Sequence, residues 1–245
     1  MAASARNLDS DGATTITLEN WADAFAGVTQ TPKKFGVENT GTRKLGAPFT
    51  TGLEEAIIQV GLNDGSSELR IGLDTATLSQ PWAMTAVVGP AGGAWGVTGT
   101  RGWKVTAVNA TGETIQSFEV TFNPVDVTKK VTLGWANPAG TTRNRIYRTG
   151  TPGTYVTPSL RADILAATTF DDDGGALSAG APPASNTTGG AGPAFGTPPA
   201  LGTAPVPFTS LEIAQQAFYW VNRVIPGATT EDGNPRTAIT RLREV

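Results

Sequence analysis

The chain alternates apolar and polar residues in many short runs divided by turn residues, as β-strands with one buried face do. The clearest runs lie between 103 and 173. Their apolar positions are Trp103, Val105 and Ala107; Phe118, Val120 and Phe122; and Val131, Leu133 and Trp135. Strands about ten residues apart, separated by Gly, Pro, Asn and Asp, predict an all-β chain built as a β-sandwich.

Shorter runs flank this block. They lie at 15–18, 34–38, 56–60, 69–71, 144–148, 168–171 and 238–242. The Asp-Gly pair within Asn63–Ser67 stands between two apolar runs and predicts a hairpin turn. Residues 211–218 fit either an amphipathic helix or a turn leading into a strand. The aromatic cluster in 217–225, ended by Pro226, favours the strand.

The 30 glycines and 17 prolines among the 245 residues are unevenly spread. Residues 89–102 lack the spacing of a phosphate-binding loop and predict a flexible loop. Residues 174–207 carry no charge and predict an extended Gly/Pro/Ala-rich arm. Because fixing a backbone costs about 1–2 kcal/mol per residue, we expect the arm to gain order on neighbouring subunits.

The composition excludes several classes of chemistry. Without His or Cys the chain has no ordinary zinc site, disulfide, Ser-His-Asp triad or thiol nucleophile. A net charge of −3 argues against nucleic acid, and the longest apolar runs are too short to span a membrane. We therefore expect no enzyme, cofactor or metal. The first residues lack the apolar segment of a secretion signal, so we expect synthesis in a cytoplasm.

The charged residues offer few candidates for a site. Glu54 and Glu55 are adjacent, so on a strand they point to opposite faces and cannot act as an acid/base pair. The run 171–173 is three aspartates, and a strand-end turn is a better interpretation than a cation site. A scattered solvated face is the preferred interpretation of four arginines, and a patch facing an acidic subunit is the alternative. These are Arg143, Arg145, Arg148 and Arg161.

Three runs carry a resemblance to a known kind of domain. WKVTAVNATGET, VTLGWANPAGTTRNRIYRT and TTFDDDG resemble strands of a fibronectin type III-like domain. Such domains are common in bacterial surface proteins and in the tail and other virion proteins of bacteriophages. The resemblance implies an immunoglobulin-like sandwich and indicates little about a ligand.

A second resemblance joins the two ends of the chain. FGVENTGTRKLG resembles the turn of bacterial Ig-like domains, and a later segment of those domains resembles Ser210–Leu211, Phe218, Val221 and Ile225–Gly227. Ala214 stands where that pattern has Gly. Together the resemblances predict one split Ig-like sandwich from 14–78 and 208–245. They also predict an inserted fibronectin type III-like domain at 79–173 and an arm at 174–207.

These features lead to the expectation of a non-enzymatic structural protein of a tailed-phage virion. It would be a multi-copy subunit of the tail, baseplate, neck or capsid surface, contacting copies of itself and other virion proteins. Its candidate contact residues are Trp82, Trp95, Phe195, Pro198 and Leu201. The alternative is a carbohydrate- or receptor-binding module that meets a host-surface glycan through Trp82 or Trp95.

Overall fold

A computed structural model describes residues 5–9, 11–15, 33–45, 51–56, 69–74, 76–189, 206–207, 211–223 and 239–244. This part of the chain is all-β, as predicted, with several antiparallel sheets and no helix. No helix within it could therefore cross a bilayer. The contacts divide the chain into two units. One comprises Met1–Thr75, Ala191–Ile213 and Ala217–Val245, and the other comprises Ala76–Gly190 and Ala214–Gln216.

The described residues of the first unit form two sheets. One has the order β1-β2-β13-β4, with β1 at Ala5–Leu8, β2 at Lys33–Asn39, β4 at Leu69–Asp74 and β13 at Gln216–Arg223. The other has the order β12-β3-β14, with β3 at Thr51–Ala56, β12 at Val206–Pro207 and β14 at Ile239–Glu244. Strands β2, β4, β13 and β14 fall on runs predicted from the alternation. Only Thr15 of the predicted run 15–18 and Ala56 of the predicted run 56–60 are described. The hairpin turn at 63–67 lies outside the described residues.

A fully buried asparagine fixes the turn after β2. The Nδ2 of Asn39 donates to the carbonyls of Arg43 and Leu211 at 2.9 and 3.0 Å, and its Oδ1 accepts the Gly41 amide at 3.0 Å. Satisfying a buried amide in this way offsets its loss of water. Nearby, the Phe35 and Tyr219 rings lie 5.7 Å apart.

The second unit contains seven strands in two sheets. One has the order β11-β8-β5, with β5 at Trp82–Ala91, β8 at Lys129–Ala136 and β11 at Thr169–Asp172. The other has the order β10-β9-β6-β7, with β6 at Arg101–Val108, β7 at Val120–Phe122, β9 at Arg143–Thr149 and β10 at Leu160–Leu165. The alternation did not predict β5 or β10. Strand β5 extends to Ala91, into the segment predicted as a flexible loop.

One hydrophobic core joins these two sheets. Trp103, Val105 and Ile146 enter it from the four-stranded sheet, and Val131, Leu133 and Trp135 enter it from the three-stranded sheet. Each is at most 5% exposed. The prediction that Trp103 and Trp135 are core residues is confirmed. Two sheets that share one core give this unit a sandwich-like, two-layer arrangement.

The strand registers define two ends of the second unit. At the end that we call distal lie Ala91, Arg101, Lys129, Thr149 and Asp172. At the opposite, proximal end β6 and β9 meet through the pair Val108–Arg143, and β5 and β8 through the pair Trp82–Ala136. The chain enters the unit at the proximal end, because β5 begins there.

Residues 174–189, the first part of the predicted arm, run along the second unit from the distal to the proximal end. Ser178 bridges to Leu160 near the distal end. At the proximal end the Asn186 Nδ2 donates to the Leu78 carbonyl at 2.8 Å, and the Thr188 carbonyl accepts from Asn109 at 3.1 Å. Amide and hydroxyl side chains thus anchor this part of the arm. Residues 190–205 lie outside the described residues.

Candidate functional site: the distal loops and the charge cluster beneath them

Three loops follow the distal ends of strands in the second unit. These distal loops are residues 92–100, 123–128 and 150–159, and Asp126 is their one charged residue. Each loop exposes a valine to solvent: Val97, Val125 and Val156 are 67%, 73% and 68% exposed. The Gly99 amide donates to Asn123 Oδ1 at 3.0 Å, which joins the first two loops. The Arg101 guanidinium lies between the first loop and Gly150.

A buried cluster of charges lies beneath these loops. The Asp172 carboxylate is completely buried. Arg148 Nη1 donates to its two oxygens at 2.8 and 3.0 Å, and Arg161 Nε donates to Oδ1 at 2.7 Å. The Trp103 Nε1 and the Gly174 amide complete its shell at 2.8 and 3.0 Å. Arg161 also pairs with Asp173, so two arginines balance two carboxylates.

The local sequence explains why these charges point inward. Arg148 lies two residues after Ile146 on β9, and Asp172 lies two residues after Phe170 on β11. A strand returns to the same face every second residue, so both side chains face the core. Burial lowers the pKa of the Arg148 guanidinium, and the Asp172 carboxylate opposes that shift. The hydrogen bonds between the two side chains offset part of the cost of removing them from water.

Trp95 connects this cluster to the first distal loop. Its Nε1 donates to the Lys129 carbonyl at 2.7 Å, and its ring packs edge-on against Trp103 at 6.0 Å. The guanidinium carbons of Arg101 and Arg148 lie 5.3 and 5.2 Å from the Trp95 ring centroid, within cation–π range.

Hydrogen bonds also hold the backbone of the first distal loop. The amides of Gly92 and Gly93 donate to the Thr128 carbonyl, and the Ala94 amide donates to the Asp173 carbonyl at 2.6 Å. A Cβ at Gly93 would overlap the backbone of Lys129, which explains the glycine there. A flexible loop was predicted here, but these hydrogen bonds hold its backbone against Thr128 and Lys129, which glycine allows because it has no Cβ.

Glu119 positions the third distal loop. Its Oε1 accepts the Gly153 amide at 2.9 Å and the Tyr155 hydroxyl at 2.8 Å. Burial raises the pKa of Tyr155, and the hydrogen bond to the Glu119 carboxylate adds to that shift. The Lys104 ammonium lies 4.9 Å from the centroid of the Tyr155 ring.

The interpretation of the four arginines as a scattered solvated face is wrong for two of them. Arg148 and Arg161 belong to the buried cluster. On the outer face of the four-stranded sheet, Arg143 and Arg145 both bind Asp163, and Arg145 also pairs with Glu113 at 2.5 Å. Glu113 accepts the Tyr147 hydroxyl at 2.8 Å as well. Internal carboxylates therefore pair with the arginines that the alternative interpretation placed against an acidic subunit.

The structure separates the predicted contact residues. Trp82 is half-buried at the proximal end of β5. Trp95 is 6% exposed and belongs to the core, so its assignment as a surface contact is corrected. Phe195, Pro198 and Leu201 lie outside the described residues. The three exposed valines were missed, although each lies in an uncharged or nearly uncharged loop.

No group of acidic side chains in the described ranges could hold a metal ion. Asp171 accepts from the Thr132 hydroxyl at 2.6 Å, while the arginines bind the other two aspartates. No protein-family model, curated protein or solved structure matches this sequence. The residues and their geometry therefore carry the functional argument.

Replacing the buried carboxylate tests the charge cluster. We expect Asp172→Asn to destabilise the protein by about 3–5 kcal/mol, because it leaves two largely buried guanidiniums short of a counter-charge. Asp171→Asn is the matched control: that side chain is exposed, and its loss should cost less than about 1 kcal/mol. Urea unfolding of both variants measures the difference. Equal effects would contradict the assignment of Asp172 as the centre of the cluster.

The raised pKa of Tyr155 predicts a pH dependence. Its folded pKa exceeds the ordinary value near 10, so its stabilising contribution is complete below that pH and is lost as the pH rises further. The advantage in unfolding free energy of wild type over Tyr155→Phe should therefore shrink above about pH 10. Phenylalanine keeps a ring beside Lys104, so that contact is present in both proteins. A constant difference up to the alkaline limit of folding would refute the shift.

Proposed function

We propose that this chain is a non-enzymatic structural subunit, present in many copies in a phage virion, that works by protein–protein contact. The tail, baseplate, neck and capsid surface are the parts of the particle in which it would serve. The observation that carries the proposal is the distal surface, where three valines stand exposed on uncharged or nearly uncharged loops. The buried charge cluster holds the first of these loops from below.

The distribution of charge supports contact at this surface. Interface cores are depleted of charged residues, because each ion removed from water must be paired. In the second unit Arg143, Arg145, Arg148 and Arg161 are paired with carboxylates inside the cluster or on the sheet's outer face. Arg101 donates instead to the Val97 carbonyl. Covering the distal loops would desolvate valine, glycine, threonine and proline instead. A fixed loop also loses less conformational entropy on binding.

The edge strands of the two sheets favour contact through the loops over pairing with a strand from another chain. Edge strand β5 carries Pro90 and two register shifts, and β7 has three residues. Edge strand β10 has a register shift and is bridged by Ser178, while Asp171 and Asp172 lie on β11. Proline, bulges, short length and charge are the features that discourage pairing with another chain.

The fold supports the resemblance in part. Two antiparallel sheets around one core agree with a sandwich, but immunoglobulin domains place strands one, two, four and five together. Here the first, fourth and seventh strands of the unit, β5, β8 and β11, share a sheet.

In the second resemblance Ala214 replaces a glycine, and its φ of 67° lies in the left-handed region that glycine favours. The virion assignment rests on these resemblances.

Self-association of the full chain tests the proposal. We expect the mass measured by sedimentation to rise with concentration, and Val97→Asp together with Val125→Asp to weaken association at least about tenfold. Leu165→Asp is the control, since Leu165 is 75% exposed at the proximal end of β10. A wild-type chain that stays monomeric would contradict the proposal. So would a Val97→Asp/Val125→Asp variant that associates as strongly as wild type.

A glycan array tests the alternative function, a carbohydrate- or receptor-binding module. Binding of a glycan that Trp82→Ala abolishes and that the distal aspartates leave intact would favour a carbohydrate-binding module over a structural subunit. Trp95→Ala is less informative, because that side chain is buried and its loss would disturb the core.

A further inference from the structure

We propose that the distal loops of two copies of this chain meet about a two-fold axis, with Arg101 of each copy bound to Asp126 of the other. This inference rests on the proposed function and names the partner of the contact surface and the residues that align it. It follows from two opposite charges that lie at this surface without an ion-pair partner in the described part of the chain.

Arg101 is the one arginine of the second unit that pairs with no described carboxylate. Its Nη2 donates to the Val97 carbonyl at 3.1 Å, and its guanidinium lies over the Trp95 ring, so it is held against the first distal loop. Its Nε is buried, and no described group accepts a hydrogen bond from it. The guanidinium has therefore lost part of its hydration without gaining a counter-charge, and a carboxylate would supply one.

Asp126 provides the matching anion on the second distal loop, where its side chain is exposed. The hydroxyl and amide of Thr128 donate to its Oδ1 at 2.6 and 3.0 Å, and these hydrogen bonds lower the pKa of the carboxyl. Lys129 attracts this carboxylate, but no described cation lies within ion-pair distance of it. Asp126 is therefore ionised and oriented, and its Oδ2 faces no described donor.

The two charges belong to one surface. The hydrogen bond from the Gly99 amide to Asn123 joins the first two distal loops, and Arg101 pairs across β6 and β7 with Phe122, directly before the second loop. In a two-fold contact each residue meets its counterpart's partner twice, so one cation and one anion on the same patch become two ion pairs. The exposed valines of the same loops supply apolar area beside these pairs.

The other charges favour a second copy over a partner of a single sign. An acidic partner would be attracted by Arg101 and repelled by Asp126, and a basic partner would meet the reverse. Lys129 and Lys130, which border the loops, already act on Asp126 and Asp173. Residues 76–190 contain eight basic and seven acidic residues, a net charge of +1, so two copies approach without strong repulsion.

Charge reversal in two different chains tests the pairing. Arg101→Glu and Asp126→Arg each place like charges opposite one another, so each variant alone should associate at least about tenfold more weakly than wild type. An equal mixture of the two restores both pairs of opposite charge and should associate about as tightly as wild type. Sedimentation measures the association, and heavy-nitrogen labelling of one variant identifies the mixed dimer by mass.

Asp171→Arg is the matched control. It makes the same change of charge at an exposed aspartate on the outer face of the three-stranded sheet. It should associate like wild type, and its mixture with Arg101→Glu should not recover the association. Near-ultraviolet circular dichroism checks that each variant is folded. If Arg101→Glu does not fold, Arg101→Gln replaces it and should associate several-fold more weakly than wild type.

The outcomes separate this inference from the proposed function. An Asp126→Arg chain that associates as strongly as wild type would overturn the pairing, as would a mixture no tighter than its two components. If Val97→Asp together with Val125→Asp still weakens association in that case, the contact surface stands and the two copies are aligned in another way. A wild-type chain that never associates would remove both.

Discussion

The buried carboxylate of Asp172 is the constraint around which the distal half of the second unit is arranged. A carboxylate removed from water requires partners for both oxygens, and here Arg148, Arg161, Trp103 and the Gly174 amide supply them. Satisfying this group fixes the turn that follows β11. The Asp173 carbonyl in that turn then accepts the Ala94 amide, so the constraint extends into the first distal loop.

This arrangement divides the unit into surfaces of different character. Ion pairs and hydrogen bonds hold the outer face of the four-stranded sheet and the region beneath the distal loops, while the loops above expose valines and contain one charged residue, Asp126. A rigid base beneath an uncharged surface reduces both the entropy and the desolvation that binding must overcome. The proposed structural role uses this combination.

Alternation of apolar and polar residues was sufficient to predict β2, β6, β8, β9, β11 and β13. Burial alternates most clearly along β8, whereas β2 and β9 are buried on both faces over several residues. The same two-residue period places the side chains of Arg148 and Asp172 on the inner face. Their charge alone predicts exposure to solvent, because the sequence does not show that the two side chains pair with each other. Trp95 was assigned to the surface because its neighbours are glycines. Those glycines instead allow the backbone to approach Lys129 and carry the ring into the core. Pairing of β5 with β8 joins residues about 50 positions apart, which local patterns do not specify.

Amide hydrogen exchange of the full chain, comparing wild type with Arg148→Met, tests the central claim that the charge cluster holds the first distal loop. In wild type the Gly92 and Ala94 amides, which donate to Thr128 and Asp173, should be protected. In the variant they should exchange at least about tenfold faster while the core amides of β6 and β8 stay protected. Unchanged exchange at Gly92 and Ala94 would show that the loop is held independently of the cluster.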